Sequence, residues 1–305
     1  MYTHLAWRRC AARFSEVKHF IDESAKTIKH GVTASYRADL YGSWVLMAYS
    51  ACQYSLAEIG RGCLEFLGKK YKYSARLPAG LYRGHVRAGV DAARQLIERG
   101  EDIAQVVRSL QSIHSRDWSL SSSLLLMERN VWPHHVQEWL RRLGVEDRET
   151  RWMQTSAPTG TDTYQSRMQA LIEERNPIAH GRSPSAILSS GLMLDWLKDC
   201  QSFMEQCAMT VELRLATHHR PKLATLGPVD ASQKLGEKTV AISELATEVL
   251  VGDHLVLEAG QARWIARVES MMSNGVGAAV FVPGATRVAI RIDRKHRDGN
   301  LFQTP

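Results

Sequence analysis

The chain has 305 residues, of which 44% are apolar, and 39 Lys and Arg against 32 Asp and Glu give it a formal net charge of +7 at pH 7. This length and apolar content are enough to bury a substantial core, and they favour one larger and one smaller domain over a single compact unit. The positive charge makes polyanions suitable partners. The longest apolar stretch, near residues 44–48, is far too short to span a bilayer, which excludes a membrane-spanning segment.

The cysteines are odd in number and widely spaced, and most of them fall within apolar helical patterns. They are Cys10, Cys52, Cys63, Cys200 and Cys207. This usage is typical of free thiols in a reducing compartment and not of a disulfide framework. The first residues contain no continuous apolar signal segment. We therefore expect a soluble protein of the cytoplasm.

Apolar residues follow helical spacing as far as about residue 217. The pattern predicts, in chain order, a helical stripe over 14–21, a buried helix over 36–67, a helix over 91–110 interrupted near Gly100, a short helix over 136–143 that ends at Gly144, and two last helices over 163–175 and 185–215. Residues 1–216 are thus expected to form an all-α domain.

The pattern changes after this helical part. Residues 217–238 lack periodicity and contain His, Pro, Gly, Lys and Ser, as in an interdomain linker. Over 239–305 short runs alternate with period two and are separated by turn signals such as Asn274-Gly275 and Asp298-Gly299. We expect a small antiparallel β-barrel here, and an α+β fold class for the whole chain.

One segment, Arg175–His180, joins the last two predicted helices and carries residues suited to RNA cleavage. Cleavage without a metal requires a base near the 2′-hydroxyl, a proton donor for the leaving 5′-oxygen and a cation at the phosphorus. His180 can serve in either proton role, and Arg175 offers a permanent charge with a planar fork of donors. Asn176 either orients the histidine or caps a helix that begins at Pro177, which predicts a break or kink at the motif.

The segment and its surroundings resemble the HEPN superfamily, in particular its RiboL-PSP-like branch. Arg-Asn, three residues and then His-Gly fit the Arg-x4-His signature of the superfamily. Two upstream blocks, Ser50–Glu58 and Arg129–Gly144, precede the motif block Leu171–Gly181 in the order typical of the branch. Together these blocks span most of residues 14–215.

This resemblance implies a helical bundle that pairs as a homodimer and acts as a metal-independent endoribonuclease. Arg175 and His180 of both copies would form one composite catalytic site with Asn176, and the products would be a 2′,3′-cyclic phosphate and a 5′-hydroxyl. Arg182 is the candidate for contact with substrate phosphate. The partners implied are RNA, such as tRNA or ribosomal RNA, and an antitoxin or a phage-derived trigger of a toxin or anti-phage effector.

The chain departs from the family pattern in two places. Many relatives carry an acidic residue where Gln53 stands, so a role for Gln53 or the nearby Glu58 stays open. Toxins silenced by nucleotidyltransferase antitoxins commonly have a tyrosine just after the histidine, whereas Gly181-Arg182 follow His180 here. Two other functions also remain open: a non-catalytic RNA-binding or ribosome-associated module, and a scaffold in a defence complex.

The predicted barrel resembles the second domain of translation elongation factors. The resemblance rests on the order of four short segments, Val251–Leu257, Arg267–Met271, Pro283–Ile290 and Arg297–Phe302. It implies an accessory module that presents structured RNA or senses a partner. No metal or cofactor is expected, because the histidine pairs 134–135 and 218–219 lack the further ligands of a metal site.

Overall fold

A computed structural model of the chain describes residues 2–28, 33–71, 76–77, 79–112, 131–184, 186–218, 223–229, 236–259, 262–295 and 300–303. They form two compact units, one of Ala6–Thr210 and one of Met1–Leu5 with Val211–Pro305. Arg129 and Asn130 at the start of the second matching block, and the predicted turn at Asp298-Gly299, lie outside the described residues.

The first unit is helical, as predicted. Its elements are α1 (Tyr2–Ile28), α2 (Ala34–Lys70), α3 (Ala79–Glu98), α4 (Ala104–Ser112), α5 (Pro133–Arg142), a 3-10 helix (Asp147–Gln154), α6 (Tyr164–Ala179) and α7 (Ser190–His218), of which the last turns of α7 belong to the second unit. The predicted interruption near Gly100 is confirmed by the gap between α3 and α4. No helix among the described residues has the length and apolar content needed to cross a membrane.

Helix α2 lies at the centre of this unit. Thr33 caps its start by accepting a hydrogen bond from the Tyr36 amide at 3.3 Å. The helix buries apolar side chains around much of its circumference, which is typical of a core helix and not of a surface helix. The largest fully buried side chains of the unit come from α1, α2, α3, α5 and α7: Phe14, Ile21, Tyr41, Trp44, Leu56, Ile59, Leu67, Leu81, Trp139 and Phe203.

Helix α5 ends as the sequence predicts. Gly144 follows it with φ of +89°, a backbone conformation that costs glycine little and other residues more. The Gly144 amide donates to the Arg141 carbonyl and the Val145 amide to the Leu140 carbonyl, at 2.9 and 3.0 Å. These two bonds form a Schellman motif, which satisfies carbonyls that the helix end leaves open.

The second unit is built on an antiparallel sheet. Its strands are β1 (Thr239–Glu244), β2 (Val249–Leu250), β3 (His254–Ala259), β4 (Ala262–Ser273), β5 (Val276–Gly277), β6 (Val280–Phe281), β7 (Thr286–Ile292) and β8 (Asn300–Gln303). The main sheet has the order β1-β7-β4-β3-β8, with β5 beside β4, and β2 pairs with β6 separately. Among the described strands β1 and β8 do not pair, so the sheet is curled and open, and the expected closed barrel is a half-barrel.

The β3–β4 hairpin has buried side chains on both of its faces. One face joins the apolar core of the sheet through Leu255, Leu257 and Ala266. The opposite face carries His254 and Ile265, which are also buried. It is covered because the last turns of α7 bind it: the His254 Nδ1 and Glu212 Oε2 atoms lie 2.7 Å apart, and the Arg263 guanidinium donates to the Ala216 carbonyl at 3.0 Å.

Candidate active site

The segment Arg175–His180 forms the last turns of α6. Thr163 caps the start of this helix, and the helix continues through Asn176 and Pro177 as far as Ala179. The expected break or kink at the motif is therefore not found, and the helix predicted to end near Arg175 continues to Ala179. Pro177 lies in the last turn of this helix, where it removes the amide that would bond to the carbonyl of residue 173.

His180 is the residue that ends α6. The Gly181 amide donates to the Ile178 carbonyl at 3.0 Å and the Arg182 amide donates to the Pro177 carbonyl at 2.9 Å. This is a second Schellman motif, and Gly181 supplies the required left-handed backbone with φ of +74°. The His-Gly pair of the sequence thus has a structural reason: the glycine ends the helix immediately after the histidine. The side chains of His180 and Arg182 are exposed.

Arg175 is half-buried and held in place by two contacts. Its Cζ atom lies 4.6 Å from the centre of the Tyr49 ring, which is a cation–π geometry. Its Nη1 atom donates to the Asn176 Oδ1 atom at 3.2 Å. The structure therefore brings Arg175 and Asn176 together, and it adds Tyr49, which the sequence analysis did not single out.

The Tyr49 ring is itself anchored through its hydroxyl group. That oxygen accepts hydrogen bonds from Gln53 Nε2 at 3.2 Å and from the Val131 amide at 3.3 Å. Burial raises the pKa of the Tyr49 phenol, so the ring that faces Arg175 is neutral at physiological pH. The sequence held one signal that could have identified Tyr49 as a residue near the site. Tyr49 and Gln53 are four residues apart, which places both on one face of α2.

Helix α6 packs closely against α2 on both sides of this contact. The Tyr41 phenol lies close to the Glu174 carboxylate, and burial together with that carboxylate raises the pKa of Tyr41. A Cβ atom at Gly42 would lie 3.2 Å from Ile178 Cγ2, so the glycine allows the two helices to approach. The position of Arg175 is thus determined by the packing of α6 on α2.

Gln53 and Glu58 have different places in the structure. Gln53 contacts Tyr49 and so lies behind Arg175. Glu58 is buried and forms ion pairs with Arg9 at 2.5 Å and with Arg61 at 2.6 Å. It lies nine residues beyond Tyr49, about 13 Å along the helix axis. Glu58 therefore belongs to the packing of α1 on α2, away from Arg175.

Arg175 and His180 do not point the same way within one copy of the chain. A separation of five residues corresponds to about 7.5 Å along a helix axis and about 140° around it. Arg175 is directed towards α2, whereas His180 is exposed at the helix end. One copy therefore offers an anchored cation and an exposed proton-transfer group at adjacent but differently oriented positions.

The structure brings no metal-binding group together within the part of the chain that it describes: no three His, Cys, Asp or Glu side chains lie close enough to hold an ion. The five cysteines are buried free thiols. Burial raises the pKa of both Cys10 and Cys63 to about 12, so these thiols stay protonated and unreactive at neutral pH.

Comparison with known proteins gives one family. The family model described as RiboL-PSP-HEPN matches residues 8–208, which is more than half of the chain. Searches among curated proteins and among solved structures gave no significant match. The matched residues include α2, α5 and α6, and hence Tyr49, Arg175 and His180. The chain belongs to the RiboL-PSP-HEPN family.

Proposed function

We propose that this protein is a metal-independent RNA endonuclease. Membership of a HEPN family points to a function on RNA. The observation that carries the proposal is the end of α6, where a guanidinium held by Tyr49 and Asn176 stands one turn from an exposed histidine. These are the two group types that phosphodiester transesterification needs in the absence of a metal.

In the proposed reaction the 2′-oxygen attacks the adjacent phosphorus and the bond to the 5′-oxygen breaks. One His180 imidazole accepts the 2′-hydroxyl proton, and a second imidazole, in its protonated form, donates a proton to the departing 5′-oxygen. Arg175 binds the non-bridging phosphate oxygens and stabilises the charge that develops on them. The products are a 2′,3′-cyclic phosphate and a 5′-hydroxyl, so no water is consumed.

We propose that two copies of the chain form one composite site. Each chain supplies one His180, whereas the reaction needs both a base and an acid. A homodimer in which two α6 ends face one cleft would provide two imidazoles and two Arg175 guanidinium groups. Arg182, exposed just beyond His180, is proposed to contact a neighbouring phosphate. Asn176 keeps Arg175 in place by accepting from Nη1.

Cleavage of purified RNA tests the proposal. We expect the protein to cut RNA in the presence of EDTA and to leave cyclic phosphate and 5′-hydroxyl ends, identified by end-specific ligation and sequencing. His180→Ala and Arg175→Ala should each lower the rate by about 100-fold or more. Arg94→Ala is the matched control, because Arg94 is an 80% exposed arginine on α3 that pairs with Glu98. Undiminished cleavage by His180→Ala would contradict the site assignment.

We further propose that the cleavage serves as a toxin or anti-phage activity restrained until a trigger or an inhibitor acts, with the sheet of the second unit as an accessory RNA- or partner-binding module. Expression of the wild type should arrest growth, and expression of Arg175→Ala at the same level should not. Equal growth arrest by both would show that toxicity does not come from this site.

A further inference from the structure

The residues at the start of α5 have aromatic side chains that are not needed to start the helix. Trp132 is the N-cap residue, yet it makes no side-chain capping bond. Ser, Thr, Asp and Asn are the residues that stabilise this position. Pro133 at the first helical position already favours the helix start. The indole at position 132 therefore needs another explanation.

The rings at this helix start lie near solvent while their neighbours are buried. Val131, Pro133 and Val136 are buried, Trp132 is half-buried and His134 is exposed. The indole of Trp132 and the imidazole of His134 are nearly parallel, at an interplanar angle of 21° with centroids 6.3 Å apart. His135 packs edge-on against His134 with centroids 4.1 Å apart, which restricts the orientation of the imidazole.

This aromatic pair is linked to the proposed catalytic site through one residue. The Val131 amide, immediately before Trp132 in the chain, donates to the Tyr49 hydroxyl at 3.3 Å. The opposite contact of Tyr49 is with Arg175, whose Cζ atom lies 4.6 Å from the ring centre. Tyr49 thus connects the start of α5 to the guanidinium that we assign to the phosphate.

Aromatic rings that one residue connects to a phosphate-binding cation match the chemistry of an unpaired nucleotide. Bases in loops and single strands stack on Trp and His side chains, whereas bases in a duplex have their faces covered. A metal site is a poorer explanation, since the described residues provide no third ligand near the two histidines.

We propose that Trp132 and His134 form a stacking platform for a nucleobase of single-stranded RNA, next to the phosphate held by Arg175. The identity of that phosphate rests on the proposed function. The evidence for the platform itself is the pair of rings at the start of α5. A stacking platform would make the protein prefer loops or single-stranded segments to duplex RNA.

Binding measurements in the full-length His180→Ala protein test the platform without cleavage. The probe is a fluorescein-labelled oligoadenylate hexamer, compared with a hexamer of the same backbone with abasic residues. We expect Trp132→Leu to weaken binding of oligoadenylate by about tenfold or more. Trp132→Phe, the matched control that keeps an aromatic face, should retain most of the affinity. The abasic hexamer should bind weakly and equally to all three proteins, and circular dichroism and thermal unfolding should verify that each is folded.

The outcomes separate this inference from the proposed function. Three results would overturn the platform. Trp132→Leu could bind oligoadenylate as tightly as its His180→Ala parent, it could lose as much affinity for the abasic hexamer as for oligoadenylate, or the parent could fail to bind oligoadenylate. If wild-type protein cuts RNA, and Trp132→Leu neither slows cleavage in the wild-type background nor weakens binding in the His180→Ala background, the platform is wrong and the nuclease assignment stands. If binding depends on Trp132 and on the bases but no RNA is cut, the platform stands and the nuclease assignment fails.

Discussion

At the scale of single residues, the most informative feature is the support behind Arg175. An arginine has many rotamers, and ordering it costs conformational entropy that must be recovered by contacts. Here Tyr49 covers one face of the guanidinium and Asn176 accepts from Nη1. The Gln53 amide donates to the Tyr49 hydroxyl and so orients the ring. The sequence left the role of Gln53 open, and the structure places it one contact behind Arg175.

Tyr49 is therefore expected to act as a positioning residue for Arg175. Tyr49→Leu removes the aromatic face, and with it a cation–π contact of about 0.5–2 kcal/mol, so kcat for RNA cleavage should fall by about 2- to 30-fold. Tyr49→Phe keeps the face and loses only the hydroxyl bonds with Gln53 and Val131, so its kcat should lie between those of Tyr49→Leu and the wild type.

Steady-state kinetics that separate kcat from KM provide the measurement for Tyr49. Thermal unfolding of both variants controls for loss of structure, since the residue is buried. A Tyr49→Phe variant as impaired in kcat as Tyr49→Leu would show that the hydroxyl bonds, and not the ring face, position the arginine.

At the scale of secondary-structure elements, the contact of α2 with α6 determines where the motif stands. Gly42 allows a close approach of the two helices, because a Cβ atom there would lie 3.2 Å from Ile178 Cγ2. Tyr41, next to Gly42 on α2, lies close to Glu174, which stands about one turn before Ile178 on α6. Small displacements of α6 at this contact would move Arg175 and His180 together.

Gly42→Val should consequently destabilise the protein by about 1–3 kcal/mol and lower cleavage, because the added methyl groups collide with Ile178. Gly68→Val on the same helix is the matched control, since a Cβ at Gly68 would meet nothing within 4 Å. Denaturant unfolding and cleavage assays give the two readouts. The double variant Gly42→Val with Ile178→Ala should recover part of both losses; a complete lack of recovery would mean that the helix contact is not the cause.

At the scale of the whole molecule, each of the two units has its own core. The helical unit is organised around α2, and the sheet unit around the apolar cluster between its strands. In the sheet unit the last turns of α7 cover the outer face of the β3–β4 hairpin through a fully buried pair, Glu212 and His254. Polar groups buried in this way are costly unless both partners are present.

Replacing one member of this pair should therefore cost more than replacing both. His254→Leu or Glu212→Leu leaves a buried polar group without its partner, and each should destabilise the sheet unit by roughly 3 kcal/mol. The double variant should lose clearly less than the sum of the two single losses. Urea unfolding of the full chain, followed by tryptophan fluorescence and circular dichroism, completes the double-mutant cycle, and additive losses would exclude direct coupling.

Much of the architecture could be predicted from the sequence, because local sequence patterns determine the helices and their ends. The helical spacing of the first two-thirds of the chain, the interruption near Gly100 and the helix end at Gly144 all reflect short-range rules of periodicity and backbone conformation. The same rules misplaced the end of α6, since Asn176-Pro177 fits a helix start as well as a last helical turn. The sheet was predicted from its alternation, but its openness depends on pairing between distant strands.

The sequence by itself determined the fold class, the family resemblance and the chemical types at the motif, because periodicity and residue identity are local properties. Only the tertiary structure decided that Tyr49 lies against Arg175, and that Trp132 stands one residue from the amide that binds Tyr49. These contacts join α2, α5 and α6 across long sequence separations. They arise from helix packing, which no local pattern specifies.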